Sequence, residues 1–165
     1  MSVSHREYFG EVVSTVAGYE ISNEGVINPG NETMFPWLSQ IAHDYETYQF
    51  KKLDIIYEPV CSTSTNGSVA IAIDYDPNDA QPLGWGEVTG MSASVHGSAF
   101  APHHYSATAR DLKALHGKWK HVANKPNDPS LDNDLGRFYL VQDLAAAGNL
   151  GKLYIDYTVL LATPE

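Results

Sequence analysis

The sequence predicts an all-β protein, an eight-stranded antiparallel sandwich, and two observations lead to this fold class. Short runs of alternating apolar and polar residues recur along the chain, separated by the turn-forming residues Gly, Pro, Asn and Asp. Only one stretch shows the apolar spacing of three and four residues that is typical of a helix. Because the sequence contains no internal repeat, linker or low-complexity segment, we expect residues 1–165 to form a single domain.

The one predicted helix covers residues 35–48 and lies between the second and third strands. Pro36 suits its first turn, because a proline at that position loses no helical hydrogen bond. The apolar residues form a single stripe, as on a helix that packs against a sheet. The residues of this stripe are Leu38, Ile41, Tyr45 and Tyr48.

Eight strands are predicted, and several of them show the period of two that half-buried strands have. In the first strand, Tyr8, Val12 and Val16 are expected to share one face. In the last strand, every second residue from Leu153 to Leu161 is apolar. The predicted strands cover residues 7–16, 24–29, 50–60, 69–73, 91–100, 117–122, 137–142 and 152–161.

The third predicted strand places Leu53, Ile55 and Tyr57 on one face and polar residues on the other. The connection to the fourth strand ends in Asn66-Gly67, a dipeptide that is typical of tight turns between paired strands. The sequence therefore predicts a hairpin at this point.

The fourth predicted strand ends in three carboxylates, Asp74, Asp76 and Asp79. Negative charges on one turn repel each other, and calcium is a hard cation that binds carboxylate oxygens of this kind. An EF-hand is excluded, because the sixth residue counted from Asp74 is not Gly and the twelfth is not Glu. A solvated turn is the alternative, since Asp and Asn are common turn residues. Calcium takes about six to eight oxygen ligands, so the three Asp residues supply only part of a site.

Charge and motifs exclude several classes of function. The formal net charge of −10, with only ten Lys and Arg, disfavours electrostatic binding to nucleic acid or to an anionic membrane. No segment approaches the roughly 20 apolar residues of a membrane span, and none resembles a signal peptide. The Gly-x-Ser-x-Gly and His-Glu-x-x-His motifs are absent, so we do not expect an enzyme. The single cysteine, Cys61, is expected to be a free thiol in a reducing compartment.

Several stretches of the sequence resemble the shell domain of tombusvirus and sobemovirus coat proteins. Met34–Phe50 is similar to the segment that enters strand D of those coats, and Leu53–Pro59 is similar to strand D itself. The run Asp74–Asp79, followed by Pro82, matches the Asp-x-Asp-x-x-Asp calcium loop of tombusvirus shells and the Tyr-Asp-x-x-Asp pattern of sobemovirus coats. A weaker match joins Leu115–Trp119 to a Lys-Trp segment on strand G.

The resemblance implies a jelly roll with a short helix between strands C and D. It implies a viral capsid protein that self-assembles into an icosahedral shell, is found in the virion and is assembled in the host cytoplasm. It also implies that Asp74, Asp76 and Asp79 bind calcium at a subunit interface, with further ligands from a neighbouring chain. The candidates for those ligands are Asp111, His121, Asn127 and Asp128.

The sequence also departs from these relatives. They carry a long basic N-terminal arm that contacts RNA, whereas no basic run is present here, and the protruding domain of tombusviruses has no counterpart. Contacts with viral RNA are therefore expected to be weak, through scattered basic residues. These residues are Lys51, Lys52, Arg110, Lys113, Lys118 and Lys120.

A second class of function is also consistent with the composition. A calcium-dependent β-sandwich binding module of the carbohydrate-binding type would be monomeric or dimeric. In such a module, some of the three Trp and ten Tyr residues would supply stacking platforms for a ligand. The size of the particle in solution discriminates between a shell and a module.

Overall fold

Two antiparallel β-sheets pack face to face in this protein. A computed structural model describes residues 1–76, 78–114, 119–122 and 134–164. The strands are β1 (Ser2–Ser14), β2 (Gly18–Val26), β3 (Tyr45–Pro59), β4 (Gly67–Asp74), β5 (Ser94–Ser98), β6 (His103–Ser106), β7 (Lys120–His121), β8 (Arg137–Leu144) and β9 (Gly148–Pro164). Short helices lie between them: α1 (Leu38–Ala42), α2 (Trp85–Thr89) and α3 (Ala109–Ala114). None of the helices in the described part of the chain is long and apolar enough to span a membrane.

The first sheet has the strand order β1-β9-β3-β6, and the second sheet has the order β2-β8-β4-β5. The two-residue strand β7 also pairs with β3, opposite Thr47 and Tyr48, whereas β6 lies opposite residues 54–57. Because β9 occupies the other edge of β3, β6 and β7 fill one strand position in succession. The described strands thus occupy eight positions, and the predicted all-β, eight-stranded sandwich with a helix before its third strand is confirmed.

The predicted helix over residues 35–48 is wrong for the second half of that range. Helix α1 has only five residues, and the chain enters strand β3 at Tyr45. Tyr45 and Tyr48, which the helical spacing places on the apolar stripe, pair with Pro164 and Leu161 of β9 instead. Aromatic residues favour strands, and the long ladder with β9 outweighs the local helical spacing.

A β-bulge in β3 explains why the period of two becomes visible only from about residue 50. The pairing register with β9 shifts between Phe50 and Lys52. Tyr48 and Phe50 before the bulge and Leu53 after it are all buried, although a regular alternation would place Leu53 on the opposite face. Because of the bulge, the alternation of apolar and polar residues does not extend to the beginning of β3, and the sequence pattern does not predict where the strand starts.

Strand β1 presents a different face to the core from the one predicted for residues 7–16. Its register with β9 shifts after Tyr8, where β1 carries the extra residue, and again after Val12, where the extra residue lies in β9. Tyr8 and Val16 are 48% and 50% exposed, and only Val12 of the predicted apolar face is buried. Bulges on an edge strand also hinder open-ended pairing with another sheet.

The predicted hairpin at Asn66-Gly67 is wrong, because β3 and β4 belong to different sheets. The connection crosses from the first sheet to the second, and Gly67 has a φ of 135° at the crossing. A Cβ at this position would collide with Leu144 and with the carbonyl oxygen of Asp143. The glycine is thus required by a close approach to β8, and not by a two-residue turn between paired strands.

Strand β4 is buried on both of its faces. Val69, Ile71 and Ile73 belong to the main core between the two sheets. Ala70 and Ala72 lie on the outside of the second sheet, where α2 packs on them in a smaller apolar cluster. Small side chains on that face let the helix approach closely. This double burial explains the uninterrupted apolar run, which differs from the alternation of a half-buried strand.

A buried carboxylate joins three parts of the chain. Glu7 of β1 is only 5% exposed. Its carboxylate accepts hydrogen bonds from the N–H groups of Trp37 at 2.7 Å and Leu38 at 3.3 Å, and from the Tyr157 hydroxyl at 2.7 Å. Burial, together with the contact to Glu7, raises the pKa of Tyr157. Glu7 therefore fixes the start of α1 against β1 and β9, and no feature of the sequence pattern predicts this.

We expect Glu7→Ala to lower the free energy of unfolding by about 3 kcal/mol. The substitution removes the carboxylate acceptor and leaves the Tyr157 hydroxyl buried without a hydrogen bond to residue 7. Glu7→Gln keeps one acceptor oxygen and should lower it by about 1 kcal/mol. Urea denaturation in the presence of a chelator measures both values. Glu11→Ala, an exposed position on the same strand, is the control and should change the free energy by less than about 0.5 kcal/mol. Equal losses at the two positions would contradict the role of Glu7.

Candidate functional site

The acidic loop, residues 74–79, begins where strand β4 leaves the second sheet. Asp74 is the last residue of β4 and pairs with Arg137 of β8. Gly136 packs directly against the carbonyl oxygen of Asp74, at a position where any Cβ would collide with it. This close backbone contact fixes the direction in which the chain leaves the sheet.

Tyr75 holds the base of the acidic loop in the protein interior. Its hydroxyl lies 3.0 Å from the hydroxyl of Tyr105 on β6, so this hydrogen bond joins the loop to the first sheet. Burial raises the pKa of both phenols, and the negative charge of Asp111 raises it further. Asp111, one of the candidate metal ligands, therefore lies near the base of the loop of its own chain.

Backbone amides organise the carboxylates of the loop. The N–H of Asp76 donates to Oδ1 of Asp74 at 2.9 Å, and the N–H of Asn78 donates to Oδ1 of Asp76 at 3.0 Å. The N–H of Asp79 donates to the carbonyl oxygen of Asp76 at 3.2 Å. The first two contacts are Asx turns. Each uses one of the roughly four lone-pair sites of a carboxylate, so these groups retain the capacity to bind a cation.

The loop concentrates negative charge. Asp76 and Asp79 are exposed, whereas Asp74 is half-buried. Burial raises the pKa of Asp74 above its ordinary value, and the charges of Asp79 and Asp76 add to this effect, while the hydrogen bond from the Asp76 N–H opposes it. Ionisation of Asp74 is thus disfavoured by its surroundings, and a cation bound among the three carboxylates would favour it instead.

The described residues of one chain do not form a closed metal site around this loop. Among the described residues, no group of three His, Cys, Asp or Glu side chains is arranged to hold a metal ion. Of the other candidate ligands, Asp111 lies in α3 and His121 lies in β7, while Asn127 and Asp128 lie outside the described residues. Their contribution from a neighbouring chain stays a prediction.

A second polar cluster lies on the outer face of the first sheet and is not predicted by the sequence. Asp156 forms ion pairs with Arg6 and Lys52, each at 3.3 Å. Asp54 lies 3.5 Å from Lys52 and 3.3 Å from His104. The hydrogen bond with Asp156 is the main cause of a raised Lys52 pKa. The residues come from β1, β9, β3 and β6, so only the pairing of these strands brings them together.

A sandwich with these strand orders, a short helix before β3 and an acidic loop after β4 is the architecture of a viral shell domain. The chain belongs to the family described as Viral coat protein (S domain), which its sequence matches over residues 1–165. The resemblance predicted from the sequence is thereby confirmed. This family consists of structural capsid proteins.

Individual relatives agree with this assignment. The capsid protein of Cucumber necrosis virus is 32% identical over 164 residues, which cover 95% of this chain and 41% of the relative. The capsid protein of Pothos latent virus is 29% identical over 170 residues, which cover 100% of this chain and 44% of the relative. The chain thus spans less than half the length of these curated relatives.

Solved structures show the same fold. A structure of Cucumber leaf spot virus superposes with a TM-score of 0.87 at 25% identity. A crystal structure of Cucumber necrosis virus superposes with a TM-score of 0.86 at 26% identity. Both comparisons cover 100% of this chain and 57% of the other chain. The matched residues of this chain therefore correspond to one part of each of those chains.

Removal of the Asp74 charge should stabilise the protein at neutral pH in a chelator. The folded state raises the pKa of the Asp74 carboxyl above its ordinary value of 3.8, so protonation of this group stabilises the folded state. This stabilisation is fully present below pH 3.8 and is lost as the pH rises through the pKa that the carboxyl has in the folded state. Asp74→Asn keeps an oxygen acceptor for the Asp76 N–H and cannot ionise. The variant should therefore have the higher free energy of unfolding at pH 7, and the difference should shrink as the pH falls below about 4.

Urea unfolding between pH 3 and pH 7 measures this difference. Asp143→Asn, at an exposed position of β8, is the matched control and should show a smaller dependence on pH. A wild-type protein that is more stable than Asp74→Asn at pH 7 in the chelator would contradict the electrostatic argument.

Proposed function

We propose that copies of this chain assemble into an icosahedral shell, with calcium bound between copies by the acidic loop. The observation that carries this proposal is the match of the whole chain to the coat-protein shell family, and the similarity to the Cucumber necrosis virus structure supports it. Assembly in the host cytoplasm agrees with Cys61, a free thiol of a kind that persists in a reducing compartment.

Charge gives the reason why a cation belongs between the copies. At a net charge of −10, copies of the chain repel each other. Salt screens exposed charges beyond about 8 Å at physiological ionic strength, so repulsion is strongest for charges that meet within the contact itself. Asp76 and Asp79 are exposed and would meet a neighbouring copy as bare negative charges. A calcium ion at this point would attract both copies.

The donor atoms of the loop suit calcium. Carboxylate oxygens are hard ligands, and calcium accepts about six to eight of them in a flexible geometry. Asp74, Asp76 and Asp79 would supply part of this number, and a neighbouring chain would supply the rest. The candidates on that chain are Asp111, His121, Asn127, Asp128 and the backbone carbonyls of residues 120–122. A site completed by two copies couples calcium binding to assembly.

Packaged RNA would contribute little to this assembly. Lys52, one of the basic residues that could face RNA, is already paired with Asp54 and Asp156. Lys51 donates a hydrogen bond to Gln49. Contacts through a few remaining cations would be weak and sensitive to salt. Contacts between copies, together with calcium, would therefore dominate the assembly of this chain.

The double variant Asp76→Asn, Asp79→Asn should fold normally and assemble poorly, because it removes two of the three carboxylates that would hold calcium. Circular dichroism checks the fold, and light scattering in calcium measures assembly. The matched control is Asp44→Asn, Asp143→Asn, which removes the same charge at exposed positions outside the loop. Assembly of the loop variant at the wild-type calcium concentration would count against the site.

Chelation should loosen the wild-type particles at mildly alkaline pH, where calcium is removed and the carboxylates are ionised. Light scattering should show megadalton particles in calcium, and swelling or dissociation after the chelator is added. Particles with an unchanged size and melting temperature would overturn the role of calcium and leave the shell itself in place. A species no larger than a dimer would overturn the shell and favour the calcium-dependent carbohydrate-binding module.

A further inference from the structure

Leu83 is the most exposed large hydrophobic residue in the described part of the chain. It is 81% exposed, whereas Met1 and Val60 follow at 60% and 59%. A single exposed leucine is common on protein surfaces and needs no explanation by itself. Leu83 differs from such residues because two hydrogen bonds hold the peptide group that precedes it, and helix α2 begins two residues after it.

Two hydrogen bonds hold the peptide group between Pro82 and Leu83. Its own N–H donates to the Glu87 carboxylate at 2.7 Å, which ties it to helix α2. The carbonyl oxygen of the preceding residue, Pro82, accepts a hydrogen bond from the Tyr19 hydroxyl of β2 at 3.0 Å. Helix α2 is in turn anchored by Val88, which is fully buried on the outside of the second sheet. A residue presented in this way loses little backbone freedom when a partner covers it.

Leu83 belongs to the same connection as the acidic loop. Four residues lead from Asp79 to Leu83, and a fully extended chain of that length spans about 14 Å. A protein interface of standard size covers roughly 800 Å² on each partner, which corresponds to a disc about 30 Å wide. A neighbouring copy that completes a cation site at Asp79 would therefore also reach Leu83.

We propose that Leu83 is an apolar anchor of the contact between two copies of this chain, buried by the same neighbour that completes the acidic loop. This inference rests on the proposed function, because it takes a second copy as the occupant. The fully buried core of a protein interface is more apolar than its rim, which is polar and accessible to solvent. Leu83 supplies the desolvated contact, and the acidic loop beside it supplies the cation-dependent one. The two contributions are separable, since calcium does not bind to leucine.

The test is the concentration of wild-type and variant chains at half-maximal assembly, measured by light scattering in saturating calcium. Leu83→Asn, which adds no charge, should raise this concentration at least tenfold, a change that corresponds to about 1.4 kcal/mol. Leu83→Met keeps an apolar side chain of similar volume and should stay within about threefold of the wild type. Val60→Asn is the matched control at another exposed apolar position and should also stay close to the wild type. Circular dichroism and melting temperature should be unchanged in every variant.

The outcomes separate this inference from the proposed function. Weakened assembly of Leu83→Asn alone, with assembly restored in Leu83→Met, supports the anchor. Wild-type assembly by Leu83→Asn overturns the anchor and leaves the shell and its calcium site standing. Equal weakening by Leu83→Asn and Val60→Asn also overturns it, because the effect would then be general to exposed apolar positions. A wild-type chain that stays monomeric at all calcium concentrations overturns the proposed function and the anchor together.

Discussion

The burial of strand β4 on both faces is the constraint on which the rest of the structure depends. Ile71 packs in the core between the sheets, while Ala72 on the opposite face leaves room for Val88 of α2. A slip of one residue would push isoleucine side chains into the helix and leave alanines in the core, so the register is strongly fixed. The end of the strand at Asp74 is therefore a rigid starting point for the acidic loop. At the other end of the same connection, α2 holds the segment that presents Leu83.

The acidic side chains of this protein lie in two different electrostatic environments. On the outer face of the first sheet, Asp54 and Asp156 lie among Arg6, Lys52 and His104, and their charge is balanced within the chain. In the acidic loop, burial raises the pKa of Asp74, the hydrogen bond from the Asp76 N–H opposes this, and the charges of Asp79 and Asp76 raise the pKa further. The carboxylates of the sheet face thus have cationic partners within the chain, whereas a cation bound at the loop would relieve the repulsion there. This difference in local balance, together with the net charge of the chain, supports the proposal that a cation acts at the loop.

The alternation of apolar and polar residues predicts a strand correctly wherever the pairing of that strand is regular. The alternation from Leu153 to Leu161 predicts β9 correctly, and these residues are buried. The pattern misleads where pairing introduces an irregularity. The bulge after Phe50 interrupts the alternation in β3, so the sequence pattern assigns the residues at the start of this strand to the end of a helix. Asn66-Gly67 has the composition of a hairpin turn, but a dipeptide contains no information about which sheet the next strand joins. The acidic loop was predictable because its three carboxylates are close in sequence, whereas the Glu7 anchor joins residues up to 150 positions apart.

The sequence by itself determined the fold class, the family and the position of the acidic loop at the end of the fourth strand. The fold class and the loop follow from the periodicity, turn chemistry and charge of residues that are near one another in the chain. The family follows from the resemblance of several short stretches to known coat proteins. Only the tertiary structure decided the strand order, the crossing at Gly67, the burial of Glu7 and the bracing of Leu83 by Tyr19 and Glu87. The physical reason is that these features depend on sheet register and on contacts between distant segments. A shift of one residue in that register would place different side chains together.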